Sequence, residues 1–358
     1  MKVCYFGNYK TDYSRNRVLI RGLTENNVEV VECNDRSSGI KKFWRLFLKH
    51  LKIRNQYDVM LVGFPGHSAM ILAKLISRRK IIFDAFVSLY DSNVFDRRLF
   101  APQSLKSRYW WFLDWLSCRL ADKILLDTNE QIKYFISEFK IKKENFFRLF
   151  VGTDDNLMKP REVLSSNDLP AKPSGKILVF FYGNYIPLQG AKYIIEAANI
   201  LKGENFHFNL LGSGQEYQGA VELVQKFGLK NITFLPRVFY EKLSLYINQA
   251  DICLGIFGHT PKANRVIPNK VFDYLACAKP FITAKTTAAQ ELLEDKVNCL
   301  FCQTADPRDL AQKILELKNN PGLRERIAQN GYRLYQEKLT PKILGKSLKD
   351  IIFKIYEK

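Results

Sequence analysis

Residues 3–23, VCYFGNYKTDYSRNRVLIRGL, join an apolar run to Gly-Asn-Tyr, then a polar loop, then apolar residues at helical spacing. Residues 178–198, LVFFYGNYIPLQGAKYIIEAA, repeat that order. A continuous apolar strand feeding a helix through a glycine turn opens a parallel sheet covered on both faces. Its double occurrence predicts two doubly wound α/β domains. Gly7 and Gly183 then sit where the chain leaves the strand's carboxyl end, the place where such sheets bind ligands near helix N-termini. The plain alternative is that each glycine only makes a turn. Neither loop matches G-x-G-x-x-G, so nothing points to a nicotinamide or flavin cofactor.

The rhythm runs outward from these two stretches. Apolar segments at 2–6, 28–33, 57–63, 80–84, 123–127 and 146–150 read as strands. Helical patterns lie between them at 15–25, 40–54, 67–77, 104–121 and 129–138. The second half has strands near 176–182, 206–211, 231–235, 251–256, 280–283 and 298–301. Its helices are expected at 190–202, 214–227, 239–249, 269–277, 287–293, 306–318 and 321–335. Residues 159–175, KPREVLSSNDLPAKPSG, lack periodicity and carry three prolines, a linker composition. The expected domains are therefore 1–165 and 172–338. A last helical pattern, TPKILGKSLKDIIFKIYEK, spans 340–358.

Composition narrows the class. The 358 residues are 47% hydrophobic and 13% aromatic, which excludes a disordered chain. No apolar run is long enough to span a bilayer, and the start reads as a strand and not a signal peptide. Seven cysteines, an odd number, suit a reducing compartment. Cys299 and Cys302 form a lone C-x-x-C in an apolar strand, with no further zinc ligands at suitable spacing. No metal site is expected. Lys+Arg 55 against Asp+Glu 36 gives a net charge of +19, which calls for an anionic partner.

The second half carries an ordered series of motifs. FNLLGSGQEY (208–217) sets Gly212 after a strand. NITFLPRVFYEKL (231–243), ADICLGIF (250–257) and RVIPNKVFDYLACAKPFIT (265–283) follow. With the glycine loop at 183, this series resembles the C-terminal half of family 4 glycosyltransferases, also called glycosyl transferases group 1, over 176–335 in particular. The resemblance implies a GT-B fold: two Rossmann-like domains facing a central cleft. The N-terminal one would bind the acceptor and the C-terminal one a nucleotide-sugar. The helix at 339–358 would return to the N-terminal domain. It also implies retaining hexosyl transfer from a nucleotide-diphosphate sugar, with no metal and no other cofactor.

Site residues carry over position by position. The family's E-x7-E pair would fall on Arg265 and Asp273, so only its second member, which binds ribose hydroxyls, is acidic here. Family members follow the glycine loop with an Arg and then a Lys that grip the donor diphosphate. Those places hold Asn184 and Gln189. Arg265 and Lys270 are the nearest replacement cations, and the helix start near Gly190 would add backbone N–H groups. The alternative for Arg265 and Lys270 is a solvated surface charge. Gly183 and Gly212 complete the expected donor site.

In the first half, Asn8, Tyr9, Arg15 and Asp91 are expected on the acceptor side. His67, in GFPGHS (63–68), and Asp84, in IIFDAFVSLYDSNVFDRR (81–98), are the expected catalytic pair. Asp84 stands about where the family often places a histidine. Capping of the next helix is the alternative for His67, and helix capping or a structural hydrogen bond that for Asp84.

The charge is concentrated. In IKKFWRLFLKHLKI (40–53) Ile40, Phe43, Trp44, Phe47, Leu48 and Leu51 form a helical stripe beside Lys41, Lys42, Arg45, Lys49 and Lys52. That is the pattern of a helix lying on an anionic membrane. SLKSRYWWFLDWLSCRL (104–120) holds three of the four tryptophans and is a second candidate. Ordinary core helices with basic outer faces are the alternative. No nucleic-acid-binding signature appears. The reading is a cytoplasmic glycosyltransferase, peripheral on the inner membrane face, acting on a saccharide or lipid-linked saccharide in cell-envelope polysaccharide synthesis. A non-catalytic sugar-nucleotide or glycan binder and a sugar-nucleotide epimerase remain open.

Overall fold

A computed structural model describes residues 1–162 and 169–356. Residues 163–168 of the expected linker lie outside the described residues, as do the last two of the expected C-terminal helix. The chain forms two compact units, one of Met1–Asp154 with the segment from Lys338 on, the other of Asp155–Glu337.

The first unit is built on six parallel strands: β1 (Lys2–Gly7), β2 (Glu29–Asn34), β3 (Val59–Val62), β4 (Ile81–Phe86), β5 (Lys123–Leu126) and β6 (Phe146–Arg148). Their order is β2-β1-β3-β4-β5-β6. β1 and β3 are buried along their whole length except Lys2, which is why they read as unbroken apolar runs, and β4 is buried throughout although it carries Asp84. The helices are α1 (Ser14–Glu25), α2 (Lys41–Ile53), α3 (His67–Ile76), α4 (Leu105–Leu120) and α5 (Asn129–Phe139).

The second unit repeats this plan with β7 (Ile177–Asn184), β8 (Phe206–Ser213), β9 (Ile232–Leu235), β10 (Ile252–Leu254), β11 (Phe281–Ala284) and β12 (Leu300–Cys302), ordered β12-β11-β10-β7-β8-β9. Helices α6 (Ala191–Ile200), α7 (Tyr217–Phe227), α8 (Tyr240–Gln249), α9 (Asn269–Ala276), α10 (Pro307–Asn319) and α11 (Pro321–Lys338) accompany it. In each sheet the order reverses beside its first strand, between β1 and β3 and between β7 and β10. Those reversals open the crevices in which doubly wound sheets take ligands.

The last helix, α12 (Pro341–Tyr356), lies on α1. Leu344, Leu348 and Ile352 join Val18, Leu19 and Leu23 in one buried cluster. The two backbones touch: a Cβ on Gly22 would fall 2.2 Å from the Pro341 carbonyl oxygen, and one on Gly345 would fall 2.1 Å from Gly22 itself. Only glycines permit that approach.

Two local expectations change. The helix expected over 287–293 is a single 3-10 turn, Ala289–Glu291. The Asn298 side chain accepts from Glu294 N at 2.9 Å and Asp295 from Phe301 N at 2.8 Å, local bonds that compete with a helix. Conversely, Asp91–Asp96 forms a π-helical turn where the sequence shows only loop. The Asp114 carboxylate of α4 organises its approach, accepting from Ser88 Oγ at 2.6 Å and Tyr90 N at 2.9 Å.

Candidate functional site

At the crevice of the second unit the loops meet backbone to backbone. A Cβ on Gly212 (φ +131°) would fall 2.0 Å from the Gly183 carbonyl oxygen. Tyr185 N donates to Ser213 O at 3.1 Å, tying the loop after β7 to that after β8. Gly190 (φ +65°) begins α6, and a Cβ there would meet Gly258 N at 2.5 Å. Phe257 N donates to Gln189 O at 3.1 Å, tying β7's loop to β10's. The expected Gly212 is thus closed against the Gly183 backbone, while the expected Gly183 makes room for the Gln189 side chain, whose Oε1 would lie 2.0 Å from a Cβ there.

The polar residues around it are paired in ways the sequence does not announce. Lys270, expected at the diphosphate, is buried and turned inward. It donates to Gln189 Oε1 at 2.9 Å and to Gly255 O at 3.2 Å, with its ammonium 3.7 Å from the centre of the Phe181 ring. Burial pushes its pKa well below that of a free lysine. Asp273 is 1% exposed and accepts from the Tyr182 hydroxyl and, at 2.9 Å, from the Tyr240 hydroxyl. Burial first, then the neighbouring Asp273 charge, raises the Tyr182 pKa well above its ordinary value. Arg265 is half-buried in the loop before α9. Asn184 is exposed, and its Oδ1 accepts from Arg237 Nη2 at 2.5 Å. Sequence reasoning passed over Tyr182, Tyr240 and Arg237, although all three lie inside or beside the quoted motifs.

In the first unit the expected catalytic and acceptor residues are largely structural. Arg15 and Asp84 are fully buried against each other, at 2.7 to 2.9 Å, and Arg15 also donates to Leu149 O at 2.8 Å. Asp84 is therefore not an accessible base, and Arg15 does not face an acceptor. A charge can leave water only beside its opposite, and each supplies the other's. Tyr9 is buried as well, its hydroxyl 2.7 Å from Glu32 Oε2. His67 is buried at the start of α3. Its Nε2 lies 3.3 Å from Asp114 Oδ1 without hydrogen-bond geometry. Burial lowers the His67 pKa to about 3. Burial likewise raises that of Asp114 to about 7, against the bonds from Ser88, Tyr90 and Leu89. Both groups are pushed toward their neutral forms. Asp91 is buried in the π-helical turn. Asn8 is half-buried with an unpartnered Oδ1 among the described residues. Tyr13, Phe64 and Phe86 cluster at this strand edge, with centroids 5.0 to 6.2 Å apart. Spacing alone could not join three such separated rings.

Residues 167–334, which contain every strand and loop of the second crevice, match the sequence profile of the family described as Glycosyl transferases group 1. This stretch is a group 1 glycosyltransferase domain. A relative, the putative colanic acid biosynthesis glycosyl transferase WcaI of Escherichia coli, is 30% identical over 160 residues, covering 43% of this chain and 39% of that protein. The uncharacterized glycosyltransferase MJ1178 of Methanocaldococcus jannaschii is 28% identical over 151 residues, 42% of this chain and 41% of the relative. The chain thus matches about two fifths of the length of these curated relatives. The structure of Anabaena Alr3699/HepE in complex with UDP-glucose shares the fold at a TM-score of 0.72 and 16% identity, covering 99% of this chain and 100% of that one. The fold class is the GT-B class expected from the group 1 motifs.

Proposed function

We propose that the chain is a glycosyltransferase that moves a hexosyl group from a nucleotide-diphosphate sugar to a saccharide or lipid-linked saccharide, with retention and without a resident metal. The observation that carries this is the crevice between β7 and β10. Gly190 and Gly212 let the loops there close backbone to backbone, Gly183 gives room to the Gln189 side chain, and α6 and α9 present their N-termini, which suit a diphosphate. Asp273 is buried with both oxygens taken by Tyr182 and Tyr240, so it would act on the ribose side of the crevice through those tyrosines and not by direct contact. UDP-glucose in the HepE structure and the colanic acid role named for WcaI support the donor class and cell-envelope polysaccharide synthesis. Since Asp84 is closed off, the leaving phosphate itself is the base that takes the acceptor proton. Thermal-shift screening against UDP-, GDP-, ADP- and CMP-sugars tests the reading. One of them should raise the melting temperature and release its nucleotide only when acceptor is present. Release without acceptor, or none with any acceptor, would overturn it.

We further propose that the first unit rests on an anionic membrane surface at the cytoplasmic face. Among the described residues no helix is long and apolar enough to cross a membrane. On α2 the expected apolar stripe points outward: Ile40 is 82% exposed and Trp44 62%, followed by Leu48 and Leu51. Lys41, Arg45, Lys49 and Lys52 are exposed alongside. A groove of about 630 Å³ between Phe43, Trp44, Phe47 and Leu72 lies on this face. Leu75 of α3 and Leu105, Tyr109 and Phe112 of α4 extend the apolar surface across two adjacent helices. Exposed apolar area of this kind, fringed by cations, matches an anionic lipid interface.

A further inference from the structure

The two places that would carry donor-gripping cations hold Asn184 and Gln189, and the ammonium of Lys270 is buried and engaged by Gln189 and Gly255. A diphosphate bound at these loops still needs a positive charge. We propose that Arg237, held in place by Asn184, supplies the cation that meets the diphosphate of the nucleotide-sugar; this rests on the donor reading above. Arg237 follows β9, is exposed, and reaches back over the carboxyl ends of β7 and β8. Its Nη2 donates to Asn184 Oδ1 at 2.5 Å and to Ser213 O at 3.2 Å. Both acceptors are neutral, so the charge is fixed in position without being cancelled. The Nε and Nη1 groups have no protein partner among the described residues. A planar guanidinium with that edge unused is matched to phosphate oxygens. Asn184 is thus a positioning residue: the charge that the first loop lacks arrives from the third strand and is docked on the same loop.

The test measures binding of UDP, GDP, ADP and CDP, and of the corresponding nucleosides, by titration calorimetry. For the diphosphate that binds, Arg237→Ala and the bulkier Arg237→Gln should each weaken affinity about tenfold or more, the loss of a charge-assisted contact. Nucleoside affinity should hold. Placing the cation directly on the first loop, as Asn184→Arg in the Arg237→Ala background, should restore most of the diphosphate affinity. Arg237 is exposed, so its variants should keep the wild-type melting temperature, checked in parallel. Unchanged diphosphate affinity in both Arg237 variants, equal losses for diphosphate and nucleoside, or no rescue by Asn184→Arg would overturn the assignment. Wild-type protein that binds none of the four diphosphates would overturn the donor reading itself.

Discussion

The guanidinium of Arg15 and the carboxylate of Asp84, 69 residues apart in sequence, form a bidentate ion pair from which water is wholly excluded. Asp84→Asn would take from Arg15 its hydrogen-bonded counter-charge and leave it only the neighbouring Asp127, at a cost of up to about 3–5 kcal/mol. Urea unfolding should show that loss. The double change Arg15→Met, Asp84→Leu should cost far less, since it removes both charges together. Were Asp84→Asn to unfold at the wild-type urea concentration and yet lose transfer, the catalytic role would be reinstated.

His67 and Asp114 should make the first unit's stability nearly indifferent to mild acid. Asp114's folded pKa, about 7, lies above its unfolded value, and His67's, about 3, lies below its own. From about pH 4 to 6.5 the folded pair holds one proton on Asp114 and the unfolded pair one on His67, so the counts match and the slopes cancel. His67→Gln leaves Asp114 alone. Its contribution is then full below pH 4 and is lost as pH rises toward 7, by at most about 1.4 kcal/mol per unit. Asp114→Asn should give the opposite slope. Unfolding free energies across pH 4–7 check both, and parallel curves for all three proteins would refute the pairing.

Asp273→Asn should weaken donor binding and destabilise the second unit together. Both carboxylate oxygens accept from tyrosine hydroxyls. Losing that charge-assisted pair costs roughly 1.5–3 kcal/mol. Differential scanning calorimetry with and without nucleoside diphosphate separates the two effects. A lowered affinity with an unchanged melting temperature would mean the tyrosine bonds contribute nothing to stability.

Gly345→Val should pry α12 from α1. Its Cβ alone would fall 2.1 Å from Gly22. The separation would expose Leu348 and Ile352, so a loss above about 3 kcal/mol is expected. Gly219→Ala in α7, where nothing lies within 4 Å of the new methyl, should be neutral or stabilising by up to about 1 kcal/mol. Chemical denaturation of the pair checks the contrast.

Vesicle flotation checks the membrane reading. Binding to anionic liposomes should weaken at high salt but persist, because salt screens the α2 cations and not the apolar stripe. Trp44→Ser with Leu48→Ser should abolish the salt-resistant part. No binding to anionic vesicles at low salt would leave this face an ordinary solvated surface.

What was legible in the sequence is what repeats locally. Strands such as Val59–Val62 and Ile252–Leu254 announce themselves because burial on both faces makes them uniformly apolar. The outward stripe of α2 is legible because it has helical spacing. The site was harder to see because its partnerships are long-range. Arg15 after a glycine loop looks like a ligand-facing cation until Asp84 comes to meet it from β4. Lys270 looks like a surface charge beside a helix start until Gln189, 81 residues away, captures it. Arg237 sits in a short loop with no periodicity, and only the fold brings it to Asn184.

The Gly22–Gly345 crossing also has a consequence in time. Val18, Leu19 and Leu23 belong to the first unit, but the helix that covers them is made only after Asp155–Glu337 has been translated. At bacterial-to-eukaryotic synthesis rates of roughly 5–20 residues per second, that interval is on the order of ten to forty seconds. During it the first unit presents an open apolar flank while the second can already close. The order of completion on the ribosome is therefore the reverse of the order of synthesis, and the nascent flank of α1 is where a chaperone would be engaged.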